Sequence, residues 1–207
     1  MDKFCSAAIL AGGRSTRMGF DKQLLTIDDR YIFESNLEQL NKEFDDIIVV
    51  TNTPELYASS DIRTASDTFR GVGPLAGLHA ALSISKSEYV YLVACDMPVM
   101  NMKYAAYLKS RLTASPADVC ASRIGGRIET FNAFYSVRIL HELESVLSEN
   151  AGKGGHSPGI YDFITHHDIS LNIAEENEVR LIDPELDMFI NLNTQPEYME
   201  FIKKRLR

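Results

Sequence analysis

The segment SAAILAGGRSTRMGFDK, Ser6–Lys22, decides how this chain is read. Ser6–Leu10 is a short apolar run, which reads as a buried strand. It passes directly into Ala11-Gly12-Gly13, where missing Cβ atoms let the backbone approach a ligand and aim N–H groups at phosphate oxygens. Arg17 and Lys22 follow, one a planar fork and the other a point charge, and both suit neutralisation of a triphosphate. No Gly-Lys-Ser/Thr follows, so this is not a P-loop, and it is not the GxGxxG dinucleotide fingerprint either. A strand-to-helix turn with solvated cations is the plain alternative. Gly12, Gly13, Gly19 and two cations just behind a buried strand favour a phosphate loop.

Strand-like and helix-like patterns alternate downstream. Phe33, Leu37, Leu40 and Phe44 share one face of a helix over Ile32–Phe44. Ile47–Thr51 predicts a second buried strand, and Ile62–Ala65 a short third one. Leu75, Leu78 and Leu82, behind an early proline, predict a helix over Pro74–Ser85. Tyr89–Ala94 predicts a strand, Tyr104–Leu112 a helix and Ala117–Ser122 a strand. Repeated βα units imply a parallel sheet covered on both faces, an α/β architecture. Beyond Ser122 the pattern is less regular. Asn132–Tyr135, Val179–Ile182 and Phe189–Ile190 are strand candidates, Ile139–Ser148 and Glu197–Leu206 are helix candidates, and Ala151–Pro158 is a glycine-rich loop. A chain of 207 residues, 45% of them hydrophobic, buries one sizeable core, so one domain over 1–207 is expected.

The formal net charge of −8 excludes non-specific nucleic-acid binding as a main role. The first segment runs against that sign, with Lys3, Arg14, Arg17 and Lys22 against Asp2 and Asp21. A small anionic substrate is therefore admitted there. Cys5, Cys95 and Cys120 form no CxxC pair and leave an odd count, which suits a reducing cytosol. No secretory signal opens the chain, and no apolar run approaches the ~18 residues a membrane span needs. A cytoplasmic protein with no membrane and no nucleic-acid partner is expected.

Three further constellations carry chemistry. Asp96, in Ala94-Cys95-Asp96-Met97-Pro98, ends a predicted buried strand, where ligands of open α/β sheets sit. A carboxylate there can hold Mg²⁺ while the metal bridges phosphates; a helix or turn cap is the alternative. Asp67–Leu78 brings Gly71, Gly73 and Gly77 beside a helix start at Pro74. Asn191 and Asn193 in Phe189–Thr194 would share one face of a strand. Other features read as structure. His166-His167-Asp168 is a solvated loop, His79 a packed histidine and Cys95 a small buried residue. Glu175-Glu176 and Lys203-Lys204-Arg205 are solvated faces.

The set LAGGxSxRMGxDK (Leu10–Lys22), Gly73–Leu78, Cys95–Pro98 and Asn191–Thr194 resembles molybdenum cofactor guanylyltransferase, in the family's order and over nearly the whole chain. The resemblance implies a three-layer Rossmann-like fold with a mostly parallel central sheet. It implies a nucleotide-binding part over 1–122 and an acceptor-side part over 123–207. The implied reaction is GTP plus molybdenum-loaded molybdopterin giving the guanine dinucleotide and pyrophosphate, with Mg²⁺ as cofactor. Implied protein partners are a molybdenum-insertion protein and molybdoenzyme chaperones. By the same resemblance Leu10, Ala11 and Gly12 line the nucleotide, and Gly13, Arg17 and Lys22 serve the phosphates. Asp67 contacts the nucleotide, Asp96 the nucleotide and the metal, and Gly77 lies in the base-selecting segment. Asn191 and Asn193 face the acceptor. Asn52 matches a nucleotide-contacting asparagine, with Thr51 as the ungapped alternative. Two departures fall on the acceptor side: Gly152-Lys153-Gly154-Gly155-His156 where the family often has adjacent basic residues, and Gln195 between Thr194 and Pro196. A molybdopterin cytidylyltransferase, a sugar-phosphate nucleotidyltransferase and a non-catalytic nucleotide-binding regulator are the competing readings.

Lys22 is expected to reach phosphates and not the base. A charge-assisted contact is worth roughly 1.5–3 kcal/mol, so Lys22→Ala should weaken GTP at least about tenfold and leave GMP little changed. Calorimetric titration checks this, and equal weakening of both nucleotides contradicts it.

Overall fold

β1 (Ser6–Leu10) runs between β4 (Asp46–Val50) and β6 (Tyr89–Ala94), parallel to both, with all its residues buried. The computed structural model describes residues 2–11, 25–27, 30–57, 62–69, 72–150 and 158–205. β5 (Arg63–Ala65) extends the sheet beyond β4, again in parallel. Past β6 come β9 (Ala133–Ser136), antiparallel to both its neighbours, then β7 (Val119–Ile124) and β10 (Leu171–Glu175). The sheet is mostly parallel, with β9 as the inverted member. β8 (Arg127–Ile128) folds back on β7, and β2 (Thr26–Ile27) pairs with β3 (Arg30–Tyr31) in a separate hairpin.

The central strands lack polar alternation because both faces are covered. Ala8, Leu10, Ile48, Val50, Val90 and Leu92 enter one core, which α2 (Pro74–Ser83), α4 (Leu140–Asn150) and α5 (Ile160–His166) close. Ala7, Ile9, Ile47, Val49, Tyr91 and Val93 enter the other, closed by α1 (Ile32–Leu40) and α3 (Met102–Ala114). Buried tyrosines keep their hydroxyls satisfied: Tyr91 donates to Asn132 Oδ1 at 2.9 Å and Tyr135 to the Thr130 carbonyl at 2.7 Å.

The predicted helix over Ile32–Phe44 stops at Leu40, and a turn carries Phe44 into the core at 2% exposure. Two strand expectations fail. Val179 ends α6 (Glu176–Val179), which Glu178 nucleates by accepting from the Glu175 N–H at 2.8 Å. Asp187–Phe189 is a 3₁₀ turn, with the Met188 N–H donating to Asp183 Oδ2 at 3.0 Å. Local side-chain caps win over strand propensity in both stretches. Gln195–Arg205 forms the closing helix α7. Among the described residues no helix is long and apolar enough to cross a membrane.

At the amino-terminal edge of the sheet, Asp46 ties β1, β4 and β5 together. Its side chain is 3% exposed and pairs with Arg63. Oδ2 accepts from Ser6 Oγ at 2.7 Å, and Arg63 also donates to the Ile84 carbonyl at 2.6 Å. Burial alone raises the Asp46 pKa; the hydrogen bonds from Ser6 and Arg63, with the Arg63 charge, outweigh it and hold the group below its ordinary 3.8. A depressed folded-state pKa stabilises the fold above the unfolded value, and that contribution is lost as pH falls through the folded value. Asp46→Asn should therefore cost about 2–3 kcal/mol at pH 7. It should also remove part of the acid sensitivity below about pH 4. Urea melts at pH 7 and pH 3 check this; equal losses on acidification in both proteins contradict it.

Candidate functional site

The chain leaves β1 toward β4 and β5, then crosses to the other side of β1 to form β6. This is a topological switch point, the place where open α/β sheets form a ligand crevice at the carboxyl ends of the flanking strands. The main-chain ladder continues one step past the strands. Cys95 N–H donates to the Leu10 carbonyl at 3.1 Å, and Ala11 N–H to the Val50 carbonyl at 2.9 Å. Leu10, Ala11 and Asp96 thus emerge along one edge. Gly12, Gly13, Arg17 and Lys22 lie outside the described residues, as does Gly152–His156.

Asp96 is 6% exposed, and two distant segments hold its stretch of backbone. Its carbonyl accepts from Leu192 N–H at 3.0 Å. The next carbonyl, of Met97, accepts from Asn36 Nδ2 of α1 at 2.9 Å. Leu192, 1% exposed, packs with Leu25, Ile32 and Phe201 in a small separate core. Asn191 and Asn193 flank it in an irregular segment and not in the expected strand. Burial still alternates: Asn191 is half-buried, Leu192 buried and Asn193 exposed. Asn191 Oδ1 is shielded from solvent and accepts no hydrogen bond from the described residues. The structure thus brings Asp96 together with the Asn191–Asn193 segment, although about a hundred residues separate them in sequence.

Asn36 and Asn132 were missed by sequence reasoning. Asn132, at φ 52°, accepts from Tyr91 and donates to the Met188 carbonyl at 2.7 Å, anchoring the strand-end region to the C-terminal segment. The available signal was an amide within an otherwise apolar pattern, as Asn36 stands between Phe33 and Leu37.

Across the crevice, Thr51 is 1% exposed and its Oγ1 accepts from Thr53 N–H at 3.1 Å. Asn52 is exposed, and its Nδ2 donates to Asp67 Oδ2 at 3.3 Å. Of the two, Asn52 is the residue open to a ligand. Burial pushes the Asp67 carboxyl up, and the Asn52 hydrogen bond offsets only part of that. Asp67 Oδ1 is shielded and has no hydrogen-bond partner among the described residues.

α2 packs against this edge from one face. Gly73 caps it at φ 80° and ψ −157°, a conformation side chains resist, and Pro74 fills its first position. Gly77 is buried under Leu10: a Cβ there would meet the Leu10 methyls at 3.1 and 3.2 Å. His79 is packed, with Phe69 edge-on and Nε2 3.3 Å from Glu144. His166 ends α5 and is not in a loop; its Nδ1 lies 2.9 Å from the Asp162 carbonyl, and His167 Nδ1 lies 2.8 Å from Glu142. Among the described residues no group of three or more His, Cys, Asp or Glu gathers to hold a metal.

Asp96 offers a hard carboxylate oxygen, the donor type that suits a divalent cation which keeps its waters and takes further ligands from phosphates.

Comparison with known proteins gives a consistent picture. The family model described as the MobA-like NTP transferase domain matches residues 7–164. The chain is 43% identical to a molybdenum cofactor guanylyltransferase of Syntrophotalea carbinolica, over 95% of this chain and 90% of that protein. It is 36% identical to a probable molybdenum cofactor guanylyltransferase of Peptoclostridium acidaminophilum, over 96% and 88%. The crystal structure of molybdopterin-guanine dinucleotide biosynthesis protein A from Archaeoglobus fulgidus shares the fold, with TM-score 0.80 and 20% identity over 97% and 98% of the two chains.

The Gly77–Leu10 contact generates a test. Gly77→Ala should cost about 1–2 kcal/mol and weaken GTP, because Leu10 must move from the strand end. In the Leu10→Ala background the same change should cost much less. Additive losses in stability and affinity would place the effect of Gly77 elsewhere.

Proposed function

The chain belongs to the family of MobA-like NTP transferase domains, and we propose on that premise that it transfers GMP from GTP to molybdenum-bearing molybdopterin, releasing pyrophosphate. The observation that carries the reading is Asp96, a buried carboxylate at the carboxyl end of β6, hydrogen-bonded through its backbone to the Asn191–Asn193 segment. Nucleotide and acceptor must meet at one point, and this contact joins the two halves of the crevice.

A phosphate oxygen of the acceptor attacks the α-phosphorus of GTP in line. The new P–O bond forms as the bond to the β-phosphate breaks, and the electron pair leaves with pyrophosphate. The acceptor phosphate is ionised at neutral pH, so no strong base is needed, and catalysis rests on positioning and charge neutralisation. Asp96 would hold Mg²⁺, and the shielded Asn191 Oδ1 would orient the acceptor or a metal-bound water. The cation supplies charge neutralisation on the phosphates. Arg17 and Lys22 serve the triphosphate from the phosphate loop. Asn52 and Asp67 hold the nucleoside end, the pair being pre-joined by the hydrogen bond between them. By resemblance, Leu10–Gly13 and Pro74–Leu78 favour guanine over cytosine, in line with the relatives being named guanylyltransferases.

Incubation with GTP or CTP, Mg²⁺ and molybdate-loaded molybdopterin, followed by mass analysis, tests the reading. The guanine dinucleotide should form with one pyrophosphate per transfer; a cytosine dinucleotide or no product overturns it. In the same assay, folded Asp96→Ala should turn over at least about a hundredfold more slowly. Near-normal turnover removes Asp96 from the metal site.

A further inference from the structure

Three consecutive peptide N–H groups in the asparagine segment are each tied to a named acceptor. Leu192 donates to the Asp96 carbonyl at 3.0 Å. Asn193 and Thr194 both donate to one oxygen, Glu197 Oε2, at 2.7 and 2.9 Å. Glu197 N–H lies 3.4 Å from Thr194 Oγ1, so Thr194 and Glu197 form a reciprocal capping box at the start of α7. Gln195 takes the first position of that helix, Pro196 the second and Glu197 the third, the position from which a carboxylate reaches back. The following residue anchors the same turn elsewhere, with Tyr198 OH donating to the Thr26 carbonyl at 2.6 Å.

An ordinary helix cap needs to satisfy only the N–H groups of its own first turn. Here the same carboxylate also holds Asn193, which belongs to the segment bonded to Asp96. Between the fixed points at Asp96 and Glu197 the backbone of 192–194 has little freedom. The placement of Asn193, and of the backbone that leads back to Asn191, therefore depends on Glu197.

We propose that Glu197 is a positioning residue for transfer: it sets the Asn191–Asn193 segment against Asp96 and so orients the acceptor, without touching either substrate. This rests on the proposed transfer reaction. Displacement of a reacting group by about 1 Å costs up to about a hundredfold in rate, so a slack segment should appear first in the transfer step.

The test uses full-length Glu197→Ala and Glu197→Gln beside the wild type and Asn191→Ala. GTP affinity is measured by calorimetry, transfer by single turnover at saturating GTP, and amide hydrogen exchange at Leu192, Asn193 and Thr194 by NMR. Glu197→Ala should keep GTP affinity within about twofold, slow transfer at least about tenfold like Asn191→Ala, and exchange faster at all three amides. Glu197→Gln, whose amide oxygen can still accept, should recover most of the transfer rate. A lower melting temperature with unchanged transfer would reduce Glu197 to a helix cap and overturn the proposal. If the wild type itself fails to use molybdopterin, the acceptor reading is at fault. In that event exchange at Leu192, whose amide is bonded to Asp96 and not to Glu197, decides: acceleration there on loss of Glu197 supports the positioning role, and faster exchange confined to Asn193 and Thr194 reduces Glu197 to a helix cap and overturns it.

Discussion

Leu10 pairs with Ala94 in the parallel ladder of β1 and β6, and the Cys95 N–H donates to the Leu10 carbonyl one step further on. On the other side, Leu10 pairs with Val50, and Ala11 N–H continues that ladder. This register fixes where the glycine loop departs relative to Asp96. A slip of one residue would turn every side chain of β1 to the opposite core and carry Leu10 away from Gly77. Both cores and the crevice therefore depend on the same main-chain hydrogen bonds. The network around Asp46 secures the far ends of the same strands.

The C-terminal segment is held differently. Leu192, Leu25, Ile32 and Phe201 form a core apart from the two that flank the sheet, and they come from four separate stretches of chain. Leu25 stands just before β2, Ile32 opens α1, Leu192 lies between the asparagines and Phe201 is on α7. Burying a large aliphatic or aromatic side chain contributes roughly 1.5–3 kcal/mol, so a handful of residues gives this cluster its hold. It couples the strand carrying Asp96 to the C-terminal helix through packing as well as through hydrogen bonds. The Gln195 departure is absorbed here, since the extra residue becomes the first of α7 and leaves the link between Leu192 and Asp96 intact.

β1 and β6 were legible because each is an apolar run buried on both faces, one leading into Ala11-Gly12 and the other into Cys95-Asp96. The ends of Ser6–Leu10 and Tyr89–Ala94 were read to the residue. β10 was not, because it is an edge strand and only Ala174 is fully buried, so no apolar run marks it. Asn191 and Asn193 were legible as a pair, but their strand was not real: what orders them is the cap from Glu197 and a bond to a residue about a hundred positions away. Asn36 and Asn132 escaped for the same reason. An amide's partner across the fold leaves no trace in local spacing. The pairing of Asp67 with Asn52, and the burial of Thr51, show only in exposure and geometry.

On the proposed reading, the nucleotide and its cation meet at Asp96, beyond the ends of β1 and β6. Crystals grown with Mn²⁺ and a non-hydrolysable GTP analogue test it most directly, because the anomalous signal of manganese locates the cation without reference to any assumed role. The account predicts a peak within coordinating distance of the Asp96 carboxylate and of the triphosphate. Bound nucleotide with the manganese peak elsewhere would contradict it.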